Sequence, residues 1–475
     1  MKKKCWAIIA VMFIFALLGS APSLATMSAY IPGAHNVMVY QFEDLTTNNP
    51  AISRLSEPTR ARLYANDWSP DGKIAAKPKW YTAKEKIPGL QIEGMFADSR
   101  FVIRIPDKWN GKLVMAGVPG VVDERSADDV FSDYVLTRKD GEGRSYAYAA
   151  TDKGTIGEVI PAPDGKLYPL LRGLTTFLHP EDRVEKWIPC LRQLTVATRD
   201  LLERAKGKKP TRIYLIGISN GGYLVRAALE QMRGLYDGGV DWEGVLFRAN
   251  EPNIISSLVE ALNSYRIYSD KAASAEEKGA ALKRLRALGL PEGSEILWPF
   301  HVTYYYLGSI NMFRMAYDPT FIHRNWWEYG LNPQDYKDYD YLRRPAAVKE
   351  ALGRIENSGE ISKPLITVHG TWDALIFSNV HAIPYERLIK EKKKEDIHRL
   401  YLIDKGNHLD SMVGRPGVDS QKTMQPLLPY VHQAFDLLVD WVEAGKIPPP
   451  SKTISKPQSE GKVYNLLTGA EIDPY

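Results

Sequence analysis

A serine, Ser219, flanked by Gly217 and Gly221 stands where the chain passes from a strand to a helix. Residues 212–216 form an apolar run, which predicts a buried strand, and from residue 223 apolar residues recur at spacings of three and four, which predicts a helix. A Gly-x-Ser-x-Gly turn between a strand and a helix is the nucleophile elbow, in which glycines make room for a tight turn that exposes the hydroxyl. The sequence therefore predicts a serine nucleophile; the alternative is a glycine-rich turn with a solvated serine.

The predicted base is His408. A serine nucleophile needs a histidine that takes its proton and an acid that orients the histidine, and after an elbow these follow in the order serine, acid, histidine. His408 lies in a loop just past a predicted strand at 397–404, a position from which a base can reach the serine hydroxyl. Of the other histidines in this C-terminal part, His398 begins a predicted strand and His432 lies within the closing helix, so both are predicted to be structural, and His381 lies at a predicted helix start.

The predicted acid is Asp373, because it lies in a loop just past the strand predicted at 364–370, where this arrangement calls for an acid. Asp404 and Asp410 flank the histidine too closely in sequence to approach its far nitrogen easily. The alternative role of Asp373 is to cap the helix that follows it.

Predicted strands and helices alternate along the chain, which argues for an α/β fold with an open, mostly parallel sheet and helices on both faces. The predicted strands are 95–106, 111–117, 145–152, 212–216, 244–252, 364–370 and 397–404, and the predicted helices are 183–205, 223–232, 275–290 and 428–446.

The N-terminus has the pattern of a secretory signal peptide. Three lysines precede a 15-residue apolar run at 5–19, and Ala25 completes a small-x-small cleavage site. The alternative is a membrane anchor, but the run is short for a spanning helix of ~20 residues. We expect a secreted or periplasmic protein without stable membrane insertion after cleavage. The remaining chain is nearly neutral and gives no case for binding nucleic acid, and Cys190 is its only cysteine.

The chain resembles the α/β-hydrolase fold superfamily. The matching segments are GISNGG at the elbow, HGTWD and GNHLD around the predicted acid and base, and the closing LLVDWVEAGKIPPP, so the resemblance covers about residues 105–450. Within the superfamily the chain is most similar to secreted ester hydrolases in the neighbourhood of the tannase, feruloyl esterase and hydroxybutyrate-oligomer hydrolase families. Tannases typically bracket their serine and histidine with a cysteine pair, whereas Ile218 and Leu409 stand here, so that disulfide is absent.

An oxyanion formed at the serine needs two amide N–H donors. Asn220, directly after the serine, is predicted to supply one. The other is expected from the loop after the strand that ends at Gly117, where Pro119 has no N–H. This leaves Gly117 or Val118, and we prefer Val118 because it follows the position where relatives carry His-Gly; here Ala116 replaces the histidine.

The segment 252–345 belongs to a connection that is too long for a single crossover between strands. It holds 16 aromatic residues, including Trp326 and Trp327. The resemblance implies that an insertion here forms a cap above the nucleophile, so we predict a mainly helical cap, some of whose aromatics contact substrate. Trp326 and Trp327 are candidates, although adjacent residues of a helix point about 100° apart and cannot both face the cleft; the alternative is that the aromatics form the cap's own core. The expected division is a signal peptide at 1–25, a hydrolase core at 26–251 and 346–450 interrupted by the cap, and a tail at 451–475.

These features predict an exported serine hydrolase that cleaves carboxylic esters, with a small-molecule or oligomeric ester as substrate. Rigid aromatic walls favour bulky or aromatic esters. One alternative is a peptidase or amidase that uses the same triad, and another is a binding protein that kept the fold and lost catalysis. We find no metal-ligand spacing, phosphate-binding loop or dinucleotide fingerprint in the sequence, so no metal or cofactor is predicted.

Overall fold

The structure is a computed structural model of the chain. The described residues are 31–52, 81–97, 99–121, 123–154, 183–250, 252–321, 333–408 and 410–475. The predicted signal peptide and the two tryptophans Trp326 and Trp327 lie outside the described residues. Among the described helices there is none with both the length and the apolar character needed to cross a bilayer.

A ten-stranded sheet forms the centre of the structure. Its strands are β1 (His35–Phe42), β2 (Gly89–Met95), β3 (Arg100–Pro106), β4 (Trp109–Gly117), β5 (Ser145–Thr151), β6 (Arg212–Ile218), β7 (Gly238–Trp242), β8 (Leu365–Gly370), β9 (His398–Ile403) and β10 (Lys452–Ile454). The order is β1-β2-β3-β5-β4-β6-β7-β8-β9-β10. The seven strands from β5 to β10 in this order are parallel, whereas β1, β2 and β3 pair antiparallel with their neighbours. A separate hairpin is formed by β11 (Val463–Tyr464) and β12 (Glu471–Ile472).

Helices cover both faces of the sheet, which confirms the predicted fold class. The helices are α1 (Asp133–Thr137), α2 (Trp187–Lys206), α3 (Asn220–Gln231), α4 (Ile254–Ser269), α5 (Ala275–Leu288), α6 (Trp298–His301), α7 (Leu307–Tyr317), α8 (Ala346–Gly353), α9 (Ala382–Glu391) and α10 (Leu428–Ala444). The apolar sides of α2 and α3 belong to one buried hydrophobic cluster, and those of α1 and α10 belong to a second cluster.

Strand β6 shows why the sheet is buried on both faces. Its side chains alternate between the two clusters: Ile213 and Leu215 pack in the first, and Tyr214 and Ile216 pack in the second. A strand that is covered on both faces reads in sequence as a continuous apolar run rather than as an alternation. The run at 212–216 therefore identified this central strand correctly.

The strand predicted at 244–252 is wrong: β7 lies at Gly238–Trp242, and the predicted residues follow it as a loop. The apolar residues 245–247 are fully buried, but side chains satisfy part of their backbone in place of a neighbouring strand. The Gly244 N–H donates to Asp241 Oδ1 at 2.8 Å, and the Leu246 N–H donates to His381 Nδ1 at 3.0 Å. Two glycines in β7 hid the true strand, because glycine carries no side chain to show a pattern.

Two further segments differ from the sequence pattern. The strand predicted at 95–106 begins too early: Met95 is the last residue of β2, and β3 starts at Arg100, after a turn closed by a hydrogen bond from the Phe96 N–H to the Ser99 carbonyl at 2.8 Å. The tail from residue 451, in which no strand was predicted, adds β10 to the main sheet beside β9. The Asp404 N–H continues this pairing by donating to the Ile454 carbonyl at 2.9 Å.

The described part of the connection from β7 to β8 carries the five helices α4 to α8. Its predicted helix at 275–290 is α5, which Ser274 and Glu277 cap by a reciprocal pair of hydrogen bonds. It ends at Gly289, whose φ of +103° is the left-handed conformation that terminates many helices. The insertion is thus mainly helical in its described part.

Candidate active site

Ser219 lies in a strained turn between β6 and α3. Its φ of 58° and ψ of −117° are rare for a residue with a side chain, and its N–H is held by the Trp242 carbonyl at 2.8 Å. Such strain persists only where the surrounding structure imposes it, and it is typical of functional positions. The N-terminus of α3, with its partial positive charge, begins at the next residue.

The glycines around Ser219 are required by close packing of the backbone. A Cβ atom on Gly221 would collide with the Gly117 carbonyl at the end of β4, and a Cβ atom on Gly217 would collide with the Gly221 carbonyl. The first turn of α3 therefore sits directly against β4. This contact also brings the loop after β4, which carries the predicted oxyanion donor, next to the elbow.

Asp373 and His408 form a buried hydrogen-bonded pair. His408 Nδ1 lies 2.9 Å from Asp373 Oδ2, and Asp373 Oδ1 accepts from the N–H groups of Leu375 and Ile376, both at 2.8 Å. Burial alone would raise the pKa of Asp373, but the charge and hydrogen bond of His408 outweigh burial and lower it to about 2. An ionised Asp373 accepts the Nδ1 proton and thereby leaves Nε2 of His408 free to act as a base.

The three predicted residues follow parallel strands of the sheet. Ser219 follows β6, Asp373 follows β8, and His408 follows β9. Because the carboxyl ends of parallel strands meet at one edge of a sheet, the serine lies at the same edge as the aspartate–histidine pair. Strand β7 lies between β6 and β8, and Ile218 is in register with Trp242.

A second carboxyl group, which the sequence did not indicate, lies close to the same histidine. Glu243 follows β7, and its Oε2 lies 3.3 Å from His408 Nδ1. Its other oxygen, Oε1, accepts from the Gly370 N–H at 3.1 Å. Burial, and after it the charge of Asp373, raises the pKa of Glu243 to about 8.

Three of these side chains also have ligand atoms close enough for a metal ion. Glu243, His369 and Asp373 each offer one atom, and these atoms lie within 4.8 Å of one another. Atoms of these residues also make hydrogen bonds within the protein: His369 Nε2 lies 2.7 Å from the Ile376 carbonyl, and Asp373 Oδ2 contacts His408. We therefore assign the three residues to the network around His408.

The residues predicted to bind an oxyanion lie on the two segments that pack at the elbow. Asn220 is the first residue of α3, and its side chain donates to the Gly120 carbonyl at 3.2 Å. Val118 directly follows β4 and is fully buried. Its carbonyl accepts from Nζ of Lys153 at 2.9 Å, and this buried lysine, which the sequence did not single out, fixes the orientation of the loop.

The acids and histidines that the sequence set aside have other partners. Asp410 accepts from the N–H groups of Leu427 and Leu428 at the start of α10. Asp404 lies 3.4 Å from the Thr371 hydroxyl. The histidines bond within the core as follows: His381 to the Leu246 N–H, His398 to the Thr367 hydroxyl and His432 to the Val130 carbonyl.

The insertion contacts the two loops that carry the acid and the base. The Tyr306 hydroxyl donates to the Ala374 carbonyl at 2.8 Å, directly after the acid. His301 Nε2 lies 3.1 Å from the Asn407 side-chain oxygen, directly before the base. Both residues of the insertion are buried, so the packing of the insertion is continuous with that of the site.

Solved structures with the same architecture are ester-cleaving enzymes of the α/β-hydrolase fold. Feruloyl esterase B from Aspergillus oryzae aligns with a TM-score of 0.53 and 13% identity, over 94% of this chain and 93% of that chain. A second esterase from the same organism gives a TM-score of 0.52, again with 13% identity and the same coverage. At such low identity the likeness shows the fold alone, which is the α/β-hydrolase fold.

Sequence comparisons point to ester hydrolases. Residues 272–474 match the model of the 3HB-oligomer hydrolase family. Mono(2-hydroxyethyl) terephthalate hydrolase from Piscinibacter sakaiensis is 28% identical over 155 residues, which are 31% of this chain and 23% of that protein. D-(-)-3-hydroxybutyrate oligomer hydrolase from Cupriavidus necator is 28% identical over 131 residues, 25% of this chain and 18% of that protein. Each match spans less than a quarter of the relative, and together they confirm the predicted similarity to ester hydrolases.

Proposed function

We propose that the chain is a serine hydrolase that cleaves carboxylic esters through an acyl-enzyme. The observation that carries the proposal is the buried Asp373–His408 hydrogen bond at the sheet edge that also holds the strained Ser219. In this mechanism Ser219 Oγ attacks the acyl carbon while His408 Nε2 takes its proton. His408 then gives the proton to the leaving alcohol, and a water molecule activated by the same nitrogen hydrolyses the acyl-enzyme.

Electrostatics supports these roles. When His408 takes the serine proton it becomes an imidazolium, and the ionised Asp373 beside Nδ1 stabilises that charge. Negative charge that develops on the acyl oxygen is held by the backbone N–H groups of Asn220 and Val118 in this proposal. Both residues are buried, and preorganised donors act more strongly where water is excluded.

The proposed substrate is a bulky or aromatic ester, either small or oligomeric. The curated relatives act, by their names, on a terephthalate ester and on hydroxybutyrate oligomers, which are compact or oligomeric esters rather than long alkyl esters. The insertion 252–345 is proposed to be the cap that selects them, since His301 and Tyr306 join it to the loops of the base and the acid. Export to the periplasm or the medium is proposed from the N-terminal sequence pattern.

A panel of nitrophenyl esters tests the reaction and the substrate class together. We expect an aromatic acyl ester to be hydrolysed with a kcat/KM about tenfold or more above that of a long-chain alkyl ester, because rigid walls suit a rigid group better. An aminoacyl anilide should be cleaved more slowly than either ester. Faster cleavage of the anilide would identify a peptidase, and a protein that neither cleaves the panel nor reacts with a fluorophosphonate probe would be a binding protein.

The rate of ester hydrolysis should rise at a higher pH than it would if the base were a histidine with an ordinary pKa. Burial alone would lower the pKa of His408, but the charges and hydrogen bonds of Asp373 and Glu243 outweigh burial and raise it. Only neutral His408 can take the serine proton, so kcat/KM should be low in acid and reach half of its plateau above about pH 6.5, the ordinary value for histidine. The measurement is kcat/KM between pH 5 and 10, with spontaneous hydrolysis subtracted. A midpoint at or below that pH would contradict the proposed environment of His408.

A further inference from the structure

Glu243 has a backbone conformation that argues for a role of its side chain. Its φ is 52°, and its N–H is held by the Val368 carbonyl of β8 at 2.9 Å. Glycine adopts this left-handed conformation without strain, whereas a residue with a Cβ atom does so at a cost. An unstrained choice for the position would therefore be glycine, and a fully buried glutamate stands there in its place.

The side chain of Glu243 reaches the same nitrogen as the predicted acid. Asp373 Oδ2 lies 2.9 Å from His408 Nδ1, and Glu243 Oε2 lies 3.3 Å from that atom. Within the described part of the chain, Glu243 Oε2 is buried without a hydrogen-bond partner of its own. The nitrogen has one proton, so two carboxyl groups that follow different strands, β7 and β8, face a single N–H donor.

The two carboxyl groups divide into one carboxylate and one acid. Two carboxylates that face one nitrogen repel each other, so the ionisation of both is disfavoured, and the group with the poorer hydrogen bonds stays protonated. Asp373 Oδ1 accepts two backbone N–H groups at 2.8 Å, whereas Glu243 accepts one at 3.1 Å. Against the effect of burial, the charge and hydrogen bond of His408 lower the pKa of Asp373 to about 2, whereas burial and the charge of Asp373 raise the pKa of Glu243 to about 8, so near neutral pH Asp373 is ionised and Glu243 is not.

Two histidines beside this cluster add no positive charge near neutral pH. His369, at the end of β8, lies 3.6 Å from Asp373, and burial lowers its pKa. His301, from the insertion, lies against Asn407, and burial lowers its pKa to about 4. Both histidines are therefore neutral wherever the proposed reaction operates, and the state of His408 depends on the two carboxyl groups.

We propose that Glu243 is a positioning residue for His408, a second acid that supports the imidazole beside Asp373 and replaces Asp373 as the orienting carboxylate when that aspartate is neutralised. The inference rests on the proposed function, because it assigns a role to His408 as the base. In the variant Asp373→Asn the negative charge that holds Glu243 protonated is gone. Glu243 then ionises more readily, accepts the Nδ1 proton and keeps Nε2 of His408 available to the serine.

The test compares Glu243→Gln in two backgrounds. Gln has the shape of a protonated glutamate but does not ionise. We measure kcat/KM on a nitrophenyl ester from pH 5 to 10 for the wild type, Glu243→Gln, Asp373→Asn and the double variant. At pH 9 the Gln substitution should reduce kcat/KM by a factor at least about tenfold larger in the Asp373→Asn background than in the wild type, as coupled residues do. An equal factor in both backgrounds would overturn the replacement role.

The pH profile of the single variant provides a readout that a structural role would not move. Above about pH 8 Glu243 ionises, and its charge holds a proton on His408. Glu243→Gln removes that charge, so the proton leaves at lower pH and the acid limb of kcat/KM should shift down by about one pH unit. The control is Glu230→Gln, which removes a buried carboxylate bonded to Ser358, Gly359 and Tyr385. It should lower the Tm and leave the acid limb in place.

Thermal unfolding of every variant separates loss of folding from loss of function. A folded Glu243→Gln protein whose acid limb stays at the wild-type pH overturns the positioning role. Ser219→Ala separates a failure of the proposed function from a failure of the inference about Glu243. If that variant hydrolyses esters at the wild-type rate, the proposed function fails; if it is inactive while Glu243→Gln costs the same factor in both backgrounds, the inference about Glu243 alone fails.

Discussion

Ser219→Ala should lower kcat for ester hydrolysis by about 10⁴-fold or more, with the Tm nearly unchanged. The substitution removes the one oxygen proposed to attack the acyl carbon, and His408 then has no proton to take. Alanine keeps the Cβ atom and the strained backbone of the elbow, so the fold should not respond. The measurement is kcat on a nitrophenyl ester, together with labelling by a fluorophosphonate probe, which should disappear.

The matched control for this change is Ser145→Ala. Ser145 is also buried, but it begins β5, at the amino ends of the parallel strands, whereas the elbow lies at their carboxyl ends. Its substitution should leave kcat and probe labelling as they are in the wild type. Ester hydrolysis by Ser219→Ala at close to the normal rate would exclude this serine as the nucleophile.

His408→Ala should be about as damaging as the serine change, again about 10⁴-fold or more in kcat, because the members of a triad act as a unit. The variant loses the group that activates the serine and protonates the leaving alcohol, and it leaves Asp373 as a buried carboxylate without its partner. Some loss of Tm is therefore expected as well. His35→Ala is the control, since His35 is exposed on the edge strand β1, and it should keep full activity.

The choice of acid is tested in the same series. Asp404→Asn should have little effect on kcat, because Asp404 contacts the Thr371 hydroxyl at 3.4 Å, whereas Asp373→Asn should be clearly worse. The reverse order would show that the acid was assigned wrongly, even if the serine and the base were right.

The catalytic edge of the sheet was readable from sequence because its signals are local. The elbow needs glycines at Gly217 and Gly221 for steric reasons that any sequence with this turn must obey. Asp373 and His408 were found because each follows a well-defined apolar strand, and residues that follow parallel strands meet at one edge.

Glu243 was missed because a strand boundary was misplaced. The sequence pattern put a strand at 244–252, so the glutamate stood before a strand instead of after one. In the structure it directly follows β7 and points at the same histidine as the acid after β8. The error arose from tertiary packing: residues 245–247 are buried in a loop in which Asp241 accepts from the Gly244 N–H and His381 accepts from the Leu246 N–H, and no local pattern shows such bonds.

The strand β10 has a consequence for the time at which the protein becomes active. The outer edge of β9, which leads into the loop of His408, pairs with residues 452–454 near the end of the chain. During synthesis Ser219 is added to the chain more than two hundred residues before residues 452–454. A growing chain therefore holds the proposed nucleophile long before the strand that leads to the proposed base is covered. The proposed site is complete only after residues 452–454 have been made, and removal of residues 451–475 should act on the histidine loop first.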